Sequence, residues 1–380
     1  MTADAQPVKV GGRLVEPGER RRFRYELSET YNGDPVEIPV SVLNGAHVGP
    51  TVLLTAAVHG DEMNGVKILQ QAASRYDPAD LYGTLVCLHV LNVPGFLAQQ
   101  RYLPFYDEDL NRAFPGNPSG KTSSRFADEL FGTFVRECDL GIDFHTSTRH
   151  RTTMPHVRAD VSNPAVERLA RAFGMGVILA GRGSGGTLRS AASAAGTPTI
   201  TVETGRAHRF QTELVKRALR GIDSVLGEYG VLPDEPVAWA GWTRVVAEPT
   251  EKTWIRADRG GLIDVEWGPS PLVEEGDLLF TLSDHFEEEI TEVRAPHTGL
   301  VVGVLECPLA YPGHPLCHFV RVNEMTEAIV RDHVESGSFD IYRPGGFHWV
   351  ERPLDETDTR SAETDRTGMS AAVRKENADE

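Results

Sequence analysis

The chain has 380 residues, enough for two domains, and 40% of them are hydrophobic, enough for a substantial core. That excludes a wholly disordered protein. With 55 acidic against 38 basic side chains the formal charge is −17, which argues against general binding to nucleic acid or anionic lipid. No apolar run approaches the ~18 residues of a membrane span. Residues 1–10 lack the basic-then-apolar pattern of a signal segment, so the expected location is cytoplasmic. Cys87, Cys138, Cys307 and Cys317 form no CxxC pair and read as reduced thiols.

In chain order, residues 1–22 are polar and read as an arm or first hairpin. Residues 35–43 alternate polar and apolar, as a strand does. The continuous apolar runs TVLLTAAV (51–58) and LYGTLVCLHVL (81–91) read as strands buried on both faces. Helical spacing follows at 64–75 and 125–137, with a short strand at 140–144 between that second helix and the next. Then come a helix at 164–173, a strand at 176–180, a helix at 188–195, the strand PTITV at 198–202 and a long amphipathic helix at 211–229. Strands alternating with helices imply an α/β domain. Residues 231–241, with Pro233 and Pro236, resemble a linker. Beyond them lie short strands separated by glycine and proline: GGLIDV, DLLFTL, EVRAP, GLVVGV and CHFVRV. These predict a small β-domain. Residues 351–380 are dense in charge and poor in apolar side chains, as a disordered tail is. The expected domains are therefore 1–235, 236–350 and the tail 351–380.

The densest chemistry follows the first buried strand, at His59-Gly60-Asp61-Glu62. An imidazole and a carboxylate three positions apart can meet one ion at a strand-to-helix turn, and zinc accepts such ligands. Asp143-Phe144-His145 ends another strand. Ligands gather at the carboxyl ends of strands in open α/β sheets, so His59, Glu62 and His145 can converge. Alone, HxxE is a weak signal, because His and Glu often share a surface turn. Between these segments lie Arg101 and Asp109-Leu110-Asn111-Arg112, in a loop rich in proline and glycine. Asn and Arg side by side suit a substrate carboxylate, and a separate Arg suits a developing oxyanion. Glu203 directly follows PTITV, where a carboxylate can act as a base on water. The glycine-rich GRGSGGTLRS (181–190) lacks the GKT or GKS ending of a phosphate loop. It reads as a substrate loop, with Arg189 a second carboxylate contact. His150 and His156 are near enough to His145 to line a pocket.

Together these segments resemble the succinylglutamate desuccinylase/aspartoacylase family, a branch of the zinc carboxypeptidase-like enzymes. The matching segments are HGDE (59–62), NVPGF (92–96), Arg101 followed by DLNRAFPG (109–116), DFH (143–145) and VETG (202–205). They occur in family order across most of residues 40–230. The resemblance implies a zinc carboxypeptidase-like mixed sheet flanked by helices and one Zn²⁺ per chain, held by His59, Glu62 and His145. It implies Glu203 as general base and proton shuttle, and Arg101 as the group that polarises the scissile carbonyl. It places Asn111, Arg112 and Arg189 on the substrate, and Asp109 and Asp143 behind the site as orienting groups. The segment from GGLIDV to GLVVGV resembles a lipoyl-like barrel-sandwich domain. A carrier of that kind needs a lysine at its hairpin tip, and no lysine lies between Lys252 and Lys375. A capping role is expected instead, with Tyr311 a candidate at the entrance.

The expected function is zinc-dependent hydrolysis of a small N-acyl amino acid with a free carboxylate. The acidic composition suits a salt-adapted host and, within the family, acetyl-diaminobutyrate as substrate. A zinc carboxypeptidase acting on peptide C-termini would share the same side chains. A non-catalytic metal-binding scaffold is the third reading. A homo-oligomer is compatible with the sequence, and neither nucleic acid nor membrane is an expected partner.

Overall fold

The structure is a computed structural model that describes residues 5–232, 245–266 and 268–335. Most of the expected linker and the whole expected tail lie outside the described residues. The chain opens with a hairpin, β1 (Val8–Val10) and β2 (Arg13–Val15). Ten strands follow: β3 (Glu19–Glu29), β4 (Pro35–Asn44), β5 (His47–Ala56), β6 (Tyr82–Leu88), β7 (Leu140–Ser147), β8 (Arg151–Thr153), β9 (His156–Ala159), β10 (Val177–Ala180), β11 (Thr199–Arg206) and β12 (Val245–Ala247). All but β8 form one sheet in the order β12-β10-β9-β11-β7-β5-β6-β4-β3. The sheet is mixed. Its centre is parallel from β11 through β7 and β5 to β6, while β9/β11, β4/β6 and β3/β4 pair antiparallel.

Helices cover both faces, as buried parallel strands require. On one side lie α1 (Met63–Arg75), α4 (Pro164–Phe173) and α6 (Thr212–Glu228). Their Ile68, Leu69, Phe173 and Ile222 pack on Val52, Leu54 and Ala56 of β5. The opposite face of the same strand gives Leu53 to a second core, the period-two alternation of a strand. That core holds α3 (Thr122–Leu130) and α5 (Leu188–Ala194). The remaining short helix, α2 (Val93–Leu97), starts at Asn92, whose side chain accepts from Gly95 N. The helix expected at 125–137 is α3 continued by a π-helical turn, Phe131–Val135.

The C-terminal part carries β13 (Lys252–Arg256), β14 (Gly261–Val265), β15 (Ser270–Val273), β16 (Leu278–Ser283), β17 (Ile290–Arg294), β18 (Gly299–Leu305), β19 (Leu309–Ala310) and β20 (Pro315–Arg321). They make two antiparallel sheets, β13-β20-β18-β15 and β17-β16-β14-β19. Their own core includes Phe280, Leu282, Leu316 and Phe319. A helix absent from the sequence reading, α7 (Glu324–Glu335), follows.

The two parts are sewn together across the expected boundary at residue 235. Strand β12 is an edge of the nine-stranded sheet, parallel to β10. Strand β8, from the first part, pairs with β18 of the second. A fourth apolar cluster joins Val177 and Leu179 of β10 to Leu300, Val302 and Val320. Among the described residues no helix is long and apolar enough to cross a membrane.

Candidate active site

Register places the chemistry. In the parallel centre of the sheet Thr55 of β5 faces Asp143 of β7, and Glu203 of β11 faces His145. The carboxyl ends of three neighbouring strands therefore meet, and the loop after β5 brings His59 and Glu62 over them. Gly60 fits between these two because a Cβ there would lie 2.1 Å from the Gly95 carbonyl carbon. The NVPGF segment thus packs directly under the His59 turn. It also holds Arg101, whose carbonyl accepts from Gly60 N and Asn92 Nδ2, each at 3.2 Å.

His59, Glu62 and His145 are all buried, and one ligand atom from each lies within 4.8 Å of the others. His145 turns Nδ1 to Glu62 Oε2 at 3.0 Å and Nε2 to Asp143 Oδ2 at 2.7 Å. Asp143 is in turn held by Thr55 Oγ1 at 2.7 Å. His59 turns Nδ1 to Glu62 Oε1 at 2.7 Å and Nε2 to Asp109 Oδ1 at 3.3 Å. Yet among the described residues neither nitrogen of His59 finds a hydrogen bond of acceptable geometry, although both are buried. Close polar atoms that do not aim at each other can instead all face one shared ion. Two imidazoles and one carboxylate are also a donor set that suits zinc, and carboxylates behind both imidazoles are the usual outer support of such a site. These residues fit a divalent metal.

Electrostatics agree with that arrangement. Burial pushes the Glu62 carboxyl up, but His59 and His145 outweigh it and hold it well below the usual range. Burial pushes His145 down, but Asp143 and Glu62 outweigh it and hold it well above. For Asp109, burial again raises the value, and His59, Arg101 and Arg112 bring it down to about 2.

A cavity of about 390 Å³ opens beside the cluster. Its lining includes the eight residues assigned from sequence to metal, catalysis or substrate: His59, Glu62, Arg101, Asn111, Arg112, His145, Arg189 and Glu203. Arg101 donates from Nη1 to Glu62 Oε1 at 2.8 Å. Asn111 uses its Oδ1 to accept from Leu188 N at 2.8 Å, at the start of α5. Arg189 donates to the Gly181 carbonyl, and burial beside Arg158 lowers its pKa to about 10. The structure adds residues with no motif to announce them. Arg158 donates from Nε to Glu203 Oε1 at 2.9 Å. Arg151, Trp254 and His318 also line the cavity, the last two from the C-terminal sheets.

Three expectations differ. His150 is not on the cavity wall, and its φ is +64° in the turn between β7 and β8. His156 is fully buried, donates from Nδ1 to the Met154 carbonyl and is not on the cavity wall. Tyr311 is 82% exposed and off the cavity; Trp254 takes the place expected for it.

Residues 48–229 match the family described as the succinylglutamate desuccinylase/aspartoacylase catalytic domain. The chain is 27% identical over 281 residues to the N-alpha-acetyl-L-2,4-diaminobutyric acid deacetylase of Halomonas elongata, covering 70% of this chain and 80% of that one. A succinylglutamate desuccinylase from a Silicibacter species has a similar structure, with TM-score 0.71 and 26% identity over 80% of this chain and 95% of the other. A product-bound structure of the ectoine utilization protein of Ruegeria pomeroyi gives TM-score 0.72 and 25% identity, again over 80% and 95%.

Proposed function

We propose that this chain, which belongs to the succinylglutamate desuccinylase/aspartoacylase family, hydrolyses the amide bond of small N-acyl amino acids with the help of one zinc ion. His59, Glu62 and His145 would hold the metal, which supplies Lewis acidity and makes water a better acid. The remaining tasks fall to the chain. Arg158 fixes Glu203 through Oε1, which leaves Oε2 to take a proton from the attacking water and return it to the leaving nitrogen. Arg101, beside Glu62, stabilises the negative charge that grows on the carbonyl oxygen. Arg112, which donates to the Asn111 carbonyl, and the Nδ2 of Asn111 take the substrate carboxylate. Arg189 supports that end of the site.

The observation that carries this reading is the convergence of the metal cluster, Glu203 and Arg112 on one cavity of about 390 Å³. That volume lies at the small end of ligand sites. The C-terminal part closes it with Trp254, Gly303, Val304 and His318. We therefore read residues 236–350 as a lipoyl-like cap on a catalytic domain of residues 1–235. The cap favours a small acylated amino acid over a peptide.

The test is amine release from N-acetyl and N-succinyl amino acids, with acetyl-diaminobutyrate, the substrate named for the Halomonas relative, in the panel. A peptide panel runs beside it, each with and without a zinc chelator. Chelator-sensitive release from the acyl panel alone supports the proposal. Release from peptides alone moves the chain to carboxypeptidase chemistry. Silence on both, with metal bound, leaves the scaffold reading.

A further inference from the structure

Among the described residues, five arginines line the cavity but only two carboxylates, Glu62 and Glu203. Those two are already matched, Glu62 with Arg101 and Glu203 with Arg158. Arg112, Arg151 and Arg189 donate instead to the backbone carbonyls of Asn111, Pro315 and Gly181. The substrate carboxylate accounts for Arg112, with Arg189 behind it. Arg151 has no such explanation.

Arg151 is held by the C-terminal part. It sits at the start of β8, paired with Leu305 of β18. Its Nη2 donates to the Pro315 carbonyl at 2.6 Å, and its guanidinium lies 5.1 Å from the Trp254 ring centroid. Trp254 is stacked on His318 at 4.8 Å and 18°, directly across the β13/β20 register. Arg151 Nη1 is buried and has no hydrogen-bond partner among the described residues. The guanidinium is thus oriented by a carbonyl and an aromatic face, neither of which neutralises it. Burial lowers its pKa, with Cys317 opposing the shift and Arg256 adding to it. A desolvated cation beside a cavity is costly unless an anion arrives.

We propose that Arg151, set in place by Trp254 and Pro315, receives a second anionic group of the substrate, so that the preferred N-acyl amino acid carries a further carboxylate on its acyl chain or side chain. The residue determines specificity; Trp254 is a positioning residue. A substrate with a cationic side chain, such as acetyl-diaminobutyrate, meets repulsion at this point and ranks below its acidic counterparts. The inference rests on the deacylase reading only for the identity of the substrate, not for the anion site.

The experiment uses pairs of N-acyl amino acids that differ by one carboxylate against its primary amide. One pair varies the acyl group (succinyl against succinamoyl), the other the amino acid (N-acetylglutamate against N-acetylglutamine). Alongside, calorimetry on the full-length protein compares glutarate with its monoamide, a readout independent of turnover. In the native protein the acid of at least one pair should have a KM about tenfold or more lower, the size of a charge-assisted bond. Glutarate should bind more tightly than the monoamide by a similar factor. Arg151→Gln should abolish both preferences by raising KM for the acid about tenfold more than for its amide partner. Arg151→Lys, which keeps the charge and the packing stem, should retain part of the preference and covers the case in which the glutamine variant fails to fold. Equal loss on both members of each pair would show a strut and overturn the proposal. So would a native protein without any acid preference. Turnover of the panel without that preference sinks this inference alone. Arg151-dependent glutarate binding without turnover of any N-acyl compound sinks the deacylase reading alone.

Discussion

The Nε of Arg158 lies 2.9 Å from Oε1 of Glu203. The two residues sit on adjacent antiparallel strands, where Arg158 faces Thr201 and Glu203 faces His156. They are diagonal neighbours on one face, within reach for long side chains. The bond turns a flexible carboxylate into a placed one at the mouth of the metal cluster.

Glu203→Gln keeps the shape and removes the proton acceptor. The expected outcome is a fall in kcat of about 10²–10⁴, the range of general acid–base catalysis, with zinc content unchanged. Arg158→Gln should cost about tenfold in kcat, since one charge-assisted bond is lost. Steady-state kinetics with metal analysis checks both. Near-normal turnover in Glu203→Gln would remove this residue from the mechanism.

Arg101 is the proposed contact for the developing charge, and its carbonyl is anchored by Gly60 and Asn92. Arg101→Ala should lower kcat by about 10²–10³ by analogy with the loss of an oxyanion donor. Because Arg101 also touches Glu62, the zinc content of the variant is measured in parallel. A loss of activity that added zinc fully restores would make Arg101 a metal-site support rather than a carbonyl contact.

Metal binding should depend on pH in a defined direction. In the metal-free protein His145 is held well above its ordinary 6.5. Its stabilising contribution is fully present below that value and is lost as pH rises through the raised one. Glu62 is held well below its ordinary 4.5, so its contribution is present above that value and is lost as pH falls through the lowered one. A zinc ligand must give up its proton. Zinc affinity should therefore climb as pH rises above 6.5 toward the raised value of His145, with proton release on binding. Calorimetry in buffers of different ionisation enthalpy reads that proton directly. A flat affinity over the same range would contradict the His145 assignment.

Gly186 has φ +84°, and a Cβ there would lie 2.2 Å from the Arg112 carbonyl oxygen. Its own carbonyl accepts from Phe114 N at 3.0 Å. Gly186→Ala therefore forces the Arg112 loop away from the 181–190 loop. The expected outcome is a stability loss of about 1–3 kcal/mol and a KM raised more than kcat is lowered. Thermal unfolding together with kinetics tests this. A variant with native KM would separate the loop from substrate binding.

Burial pushes the thiols of Cys87, Cys138 and Cys317 up to about 12, and a thiol rather than a thiolate is unreactive. Cys307 is partly exposed. Iodoacetamide at neutral pH should label Cys307 alone in the folded protein and all four cysteines after denaturation. Mass spectrometry counts the adducts. Fast labelling of Cys87 in the native state would show that the central sheet opens.

Local pattern was enough to read most of the α/β part. The apolar run at 51–58 reads as a strand, and β5 covers His47–Ala56. The helix at 164–173 coincides with α4, because Asn163 and Pro164 mark its start and Gly174 its end. The candidate ligands were legible for the same reason. His59 with Glu62, and Asp143 with His145, each lie within one turn or strand end, so each pair is a short-range signal. Their convergence followed from the rule that strand ends in such sheets share a site.

What no local pattern carries is pairing between distant segments. Arg158 occurs in a four-residue strand, and only the β9/β11 register brings it to Glu203. Trp254 and His318 are 64 positions apart and meet because β13 and β20 pair. Arg151 belongs to the first part of the chain, yet it is oriented by the second through β8 and β18. The composition shift near residue 230 was visible, but the return of β12 to the edge of the main sheet was not. The amino-acid sequence by itself determined the candidate reactive residues and the strand ends that present them, since those depend on neighbours a few positions away. The tertiary structure decided which side chains hold Glu203, line the cavity and set its charge, since those depend on register and on the packing of one sheet against another.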